Sequence, residues 1–164
     1  MKESKSVSWT VLLRIEDTDF ASHINFPPGS QVTSALPHGA SFWTRTARIS
    51  LALEDGSPYN LFLKVAEGPD GLGLVYGEYE AAKTLYGVAP NFLPKPIGAG
   101  TYISDPNTYF YLSEYVDMIE EVPDMQKFCV SLAKIHRDSV PLSLKGQFSF
   151  HIVTYNSNKA RDVT

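Results

Sequence analysis

At 164 residues and a formal net charge of −4, the chain has room for one ordinary domain or one lobe of a larger one, and it shows no basic footprint for nucleic-acid phosphates or anionic lipid. Hydrophobic content of 43%, aromatic content of 12% and charged content of 20% are those of a chain that buries a core and not of a disordered one. The single cysteine, Cys129, excludes an intramolecular disulfide and a cysteine cluster for zinc, which fits a reducing compartment.

No apolar run of signal-peptide type follows Met1 to Ser6, and none approaches the roughly 18 residues needed to cross a bilayer. The expectation is a cytoplasmic protein with neither nucleic acid nor membrane as partner. Val11, Leu12 and Ile15 have helical spacing, so Trp9 to Ile15 reads as a short helix or an extended arm, and residues 1–30 as an N-terminal segment.

From Gln31 a strand is expected to Leu36, then a tight loop over Pro37-His38-Gly39-Ala40-Ser41, then a second strand from Phe42 to Leu53. In that second strand Trp43, Ala47, Ile49, Leu51 and Leu53 take one side, and Thr44, Thr46, Arg48 and Ser50 the other, so one face is buried. Asp55-Gly56 supplies the hairpin signal, and Tyr59 to Ala66 returns as a third strand. Gly68-Pro69-Asp70-Gly71 closes it. A helix is expected over Leu72 to Tyr86, broken by Gly87 and Pro90. Strands over Ile97 to Ile103 and Thr108 to Tyr115 complete the order β-β-β-α-β-β. Beyond Pro123, Met125, Phe128, Leu132 and Ile135 recur as the stripe of an amphipathic helix, which needs a further layer to pack on and so implies a second lobe.

Alternation places Lys64 on the same side of the third strand as Asn60, Phe62 and Ala66. A solvated strand lysine whose stem covers apolar surface is the commoner arrangement. The helix that follows argues for more. Leu74, Glu78, Ala81 and Leu85 fall on one stripe, so Glu78 sits among apolar residues, while Glu80 neighbours Tyr76, Lys83 and Thr84. A carboxylate left unpaired on a buried face costs several kcal/mol, so Glu78 calls for a cation, and Lys64 is the nearest candidate in chain order. In kinase-type sites such a pair holds the lysine where it meets nucleotide phosphates. A helix register slipped by one position would instead leave Glu78 on the rim.

Gly39 lies where a phosphate-covering loop would be, because a glycine lets backbone N–H groups approach phosphate oxygens; an ordinary hairpin with one glycine reads the same. His38 reads as a loop histidine. The backbone from Ser113 through Glu114, Tyr115 and Val116 is placed to meet a purine edge if this strand borders a cleft, and an inner strand with no ligand has the same pattern. His136-Arg137-Asp138 spells the HRD of a kinase catalytic loop, yet Ser143 stands where that loop needs a magnesium-binding asparagine, so His136 and Arg137 read as last-turn cations on a helix.

Taken together, FLKV at Phe62 to Val65, YGE at Tyr76 to Glu78, PKPIGAG at Pro94 to Gly100, LSEYV at Leu112 to Val116, LAKIH at Leu132 to His136 and GQFSFHIVTYN at Gly146 to Asn156 resemble the fructosamine kinase family, the ketosamine or protein-ribulosamine 3-kinases. The resemblance covers roughly Leu36 to Asn158. It implies an α+β, protein-kinase-like N-terminal lobe over 31–118, a five-stranded antiparallel sheet plus one helix, followed over 119–164 by the incomplete start of a helical C-terminal lobe. It also implies ATP as cofactor, with Lys64 on the phosphates, Glu78 paired to it and Glu114 to Val116 receiving adenine. In the family the 3-hydroxyl of a ketoamine sugar on a protein amine is phosphorylated, which releases the adduct and repairs glycated protein. The departures are Ser149 in place of a glycine and Asn156-Ser157-Asn158-Lys159 in place of an NGNLPQ-like continuation. The family's HGDLWxxN-type catalytic loop and its magnesium ligands have no counterpart in these residues. The expectation is therefore a shortened chain without turnover; the alternative is a non-catalytic fragment that binds nucleotide or docks a partner through the Met125 to Ile135 face.

Overall fold

The computed structural model describes residues 24, 26–41, 43–143, 153–156 and 159–161. The segment Trp9 to Ile15 and most of Gly146 to Asn156 lie outside them. Five strands, β1 (Gln31–Ala40), β2 (Thr44–Ala52), β3 (Pro58–Glu67), β4 (Pro96–Thr101) and β5 (Thr108–Glu114), form one antiparallel sheet in the order β1-β2-β3-β5-β4. Helix α1 (Gly71–Val88) joins β3 to β4. Helix α2 (Met125–Ser139) and a 3-10 turn, Val140–Leu142, follow the sheet, and a small hairpin pairs β6 (Thr154–Asn156) with β7 (Lys159–Arg161).

Period-two alternation decides which face each residue serves. Ala47, Ile49 and Leu51 of β2, Leu61, Leu63 and Val65 of β3, and Phe110 and Leu112 of β5 all point to one side and are almost wholly buried. Ile24, from the segment expected as an N-terminal arm, is buried in the same cluster, and Phe26 packs against it. On the reverse face lie Phe62, Lys64 and Ala66. There α1 packs Val75 against Ala66 and Tyr111, with Leu74, Tyr79 and Ala82 around them. Lys64 therefore sits between sheet and helix.

The β2–β3 turn takes the expected form: Gly56 has φ +79°, and the Asp55 carboxylate accepts bonds from both the N–H and the hydroxyl of Ser57. The fourth strand, expected to reach Ile103, ends at Thr101, and β2 and β5 are shorter than expected by one or two residues at their ends. Two further boundaries differ for a physical reason. Pro37 to Ala40 belongs to β1, where an irregularity between Pro37 and Gly39 absorbs the extra residue around His38, and Ser41 and Trp43 lie at the tip of the hairpin. Helix α1 also continues through Gly87 to Val88, because one glycine costs only ~1 kcal/mol, whereas Pro90 removes a donor and stops the helix.

Asp124 caps α2, its carboxylate accepting from the Lys127 N–H at 2.9 Å. His136 and Arg137 lie in the last turn of that helix, so the HRD triplet is helical and forms no catalytic loop. Among the described residues, no helix is long and apolar enough to cross a membrane.

Candidate functional site

Lys64 is in the middle of β3, paired across the sheet with Thr46 on one side and Tyr111 on the other. This central position fixes its backbone from both sides, and the register aims the side chain at α1. Its ammonium donates to Oε2 of Glu78 at 2.5 Å. Glu80 faces elsewhere and pairs with Lys83 at 3.6 Å.

The Lys64 and Glu78 side chains keep 23% and 37% of their surface exposed, so the carboxylate is not buried as its apolar neighbours in sequence suggest. The reason is a cavity of about 430 Å³ that opens beside the pair and is lined also by Ser41, Thr44, Leu74 and Tyr155. An ion pair this open adds only about 0–1 kcal/mol to stability. The pair lines that cavity, whose volume is within the roughly 300–1,000 Å³ of small-molecule sites.

The hairpin tip forms the cavity's rim. Ser41 Oγ accepts from the N–H groups of Trp43 and Thr44 and shares a further bond with the Thr44 hydroxyl, while Ser41 N–H donates to the Thr44 carbonyl. Arg45 holds the tip from beneath by donating to the Ser41 carbonyl at 2.9 Å. Gly39 stands two residues before the tip, in the ladder opposite Thr46, whose hydroxyl donates to the Gly39 carbonyl. Gly39 is thus near the cavity without lining it.

Along the same face, Phe62, His38, Arg48 and Tyr115 form a second cluster. The His38 ring meets Phe62 and Tyr115 edge-on at 6.4 and 5.5 Å, and the Arg48 guanidinium lies 5.5 Å from the centre of the Tyr115 ring. The Tyr115 N–H donates to the Asn60 carbonyl. Glu114 turns its carboxylate to the other face, where it accepts from the Lys95 N–H and, at 3.5 Å, from the Tyr59 hydroxyl. Burial, and then the Glu114 carboxylate, raise the Tyr59 phenol above its ordinary value. Val116 is exposed just beyond the sheet.

The structure thus brings Lys64 and Glu78 together, sets Tyr115 and Val116 at the far end of the same face, and leaves the Glu114 side chain behind the sheet. Among the described residues, no group of three or more His, Cys, Asp or Glu side chains is arranged to hold a metal ion, and the one carboxylate lining the cavity, Glu78, is engaged by Lys64. A magnesium site does not fit these residues alone.

No family model and no curated protein matches the chain. Among solved structures, a candidate fructosamine-3-kinase from Thermobifida fusca YX-ER1 aligns over 82% of this chain with a TM-score of 0.58 and 23% identity. The fold is that of a protein-kinase-like N-terminal lobe. The chain spans 42% of the length of that structure.

Sequence reasoning did not find Ser41 and Thr44 as a locked tip, nor Thr154 and Tyr155 as cavity walls. For the first, the Ser-x-x-Thr spacing next to a strand was an available signal. For Tyr155, the signal was the pair Gly73 and Gly77, two helix-weakening residues on one face of α1.

Proposed function

We propose that this chain binds ATP, with Lys64 on its α and β phosphates, Glu78 orienting that lysine, and the base against the backbone edge at Glu114, Tyr115 and Val116. The observation that carries the reading is the Lys64–Glu78 pair, made between the centre of the sheet and helix α1 packed on it, beside a cavity. A triphosphate suits such a place: the ammonium is held but not consumed by its partner, and the rim supplies the Ser41 and Thr44 hydroxyls. Toward the base, Phe62 offers an aromatic surface on the same face, and no protein group among those described takes the Val116 N–H.

Within that reading the chain is the nucleotide-binding part of a ketosamine kinase of fructosamine or ribulosamine type. Bound ATP would supply the phosphoryl group. Lys64 and Glu78 hold and orient it, and among the described residues no group of three or more His, Cys, Asp or Glu side chains is arranged for a metal ion. The 164-residue chain is therefore expected to bind ATP without transferring its phosphate. An assay of ATP-dependent phosphorylation of a fructosamine or ribulosamine tests this: no product above background is expected, and product formation abolished by Lys64→Met would overturn the binding-only assignment.

A second reading is favoured by one observation: Met125, Phe128 and Leu132 of α2 are 66%, 42% and 38% exposed. In it the chain docks another polypeptide along that stripe. Size-exclusion chromatography of Met125→Ser/Phe128→Ser/Leu132→Ser against the wild type separates the two, since an unchanged monomeric profile removes the support for docking.

A further inference from the structure

The face of α1 next to Glu78 carries two glycines four residues apart, Gly73 and Gly77, and neither has a positive φ that would require glycine. Each costs the helix about 1 kcal/mol relative to alanine, so space and not backbone conformation has to explain them. The space is taken by Tyr155. A Cβ on Gly73 would stand 2.0 Å from the Tyr155 hydroxyl oxygen and 2.6 and 2.9 Å from ring carbons, and a Cβ on Gly77 would stand 2.9 Å from the Val153 carbonyl oxygen. Alanine at Gly73 requires this ring to move.

The consequence for Glu78 follows from how α1 is held. On its sheet side Val75 is buried against Ala66 and Tyr111, with Leu74, Tyr79 and Ala82 partly buried around them. A displacement of α1 by a few ångströms along or about its axis would take the Glu78 carboxylate out of reach of Lys64, so what bears on its other flank matters to the pair. Tyr155 bears on that flank, one residue from Glu78 at Gly77, and together with Thr154 it walls the cavity that the ion pair faces.

We propose that Tyr155 is a positioning residue: its ring, seated in the notch of Gly73 and Gly77, pins α1 so that Glu78 keeps Lys64 aimed into the cavity. The consequence for ligand binding rests on the ATP reading; the pinning itself does not. The test is calorimetric titration of ATP into the wild type, Tyr155→Ala, Tyr155→Phe, Gly73→Ala, Glu78→Gln and the double variant Tyr155→Ala/Glu78→Gln, with hydrogen exchange of the α1 amides on each protein without nucleotide. Tyr155→Ala and Gly73→Ala are expected to weaken ATP about tenfold and Tyr155→Phe by less than about twofold, with Tyr155→Ala adding less than about twofold to Glu78→Gln because both act through one pair. Exchange in α1 is expected to quicken in Tyr155→Ala and Gly73→Ala and to stay as in the wild type in Tyr155→Phe. Full additivity with Glu78→Gln, or α1 exchange unchanged in Tyr155→Ala, overturns the proposal. If the wild type takes up no ATP, the nucleotide reading fails by itself and the exchange measurements still decide whether Tyr155 pins the helix.

Discussion

The two α-helices among the described residues invert the usual relation between pattern and burial. Helix α2 satisfies each local rule: an aspartate cap, an apolar stripe at Met125, Phe128, Leu132 and Ile135, and cations in the last turn. Yet of that stripe only Ile135 is buried, and Phe128, 42% exposed, makes a tilted ring contact with Phe92 at 6.1 Å. Helix α1 has a weaker pattern, no side-chain cap and glycines in its interior, and it is held from two sides with Val75 fully buried. Local consistency determines that a helix forms; burial depends on what the rest of the fold sets against it. The helix that breaks local rules is the one that carries Glu78, and its irregularities are where Tyr155 fits.

The largest effect that would break this contrast concerns the core. Val75→Asp places an unpaired carboxylate at a site with no solvent contact and is expected to cost at least ~3 kcal/mol, whereas Phe128→Ser is expected to cost less than ~1 kcal/mol; urea unfolding of both variants measures the difference. Equal losses would mean that α2 is as firmly packed as α1. A smaller effect sharpens the account of the ion pair. Because Lys64 and Glu78 are partly open to water, Glu78→Gln should change unfolding stability by less than ~1 kcal/mol, and a larger loss would make the pair structural instead of ligand-directed.

The smallest effect near neutrality is a pH dependence behind the pair. Burial pushes the Tyr111 phenol above its ordinary value of about 10, the Ser113 hydrogen bond opposes this, and the Glu78 carboxylate adds to it. A raised phenol favours the folded state fully below the unfolded value, and that contribution is lost as pH rises through the folded one. Thermal unfolding should therefore show stability falling above about pH 10, less steeply in Tyr111→Phe.

Much of the sheet was legible because its signals are local. Alternation in β2 and β3 and the Asp55-Gly56 turn each lie within a few residues of what they specify, and the helical spacing of Leu74, Ala81 and Leu85 separated Glu78 from Glu80. Pro37-His38-Gly39 misled for a physical reason: proline and glycine look alike in a turn and in an edge-strand irregularity, and only pairing with β2 tells them apart. The openness of the Lys64–Glu78 pair was hidden too, since a stripe of apolar neighbours cannot reveal a cavity. Tyr155 lies about 80 residues from the helix it touches, so Gly73 and Gly77 signal a close approach without naming the residue that makes it.

The central claim is that an ammonium held by Glu78 receives nucleotide phosphates, and the most direct measurement is calorimetric titration of ATP into the wild type, Lys64→Met, Glu78→Gln and Glu80→Gln. The account predicts saturable binding that weakens by about tenfold or more in Lys64→Met and Glu78→Gln, as the loss of a charge-assisted contact requires, with Glu80→Gln binding as the wild type does. No uptake by the wild type, or one affinity shared by all four proteins, would contradict it.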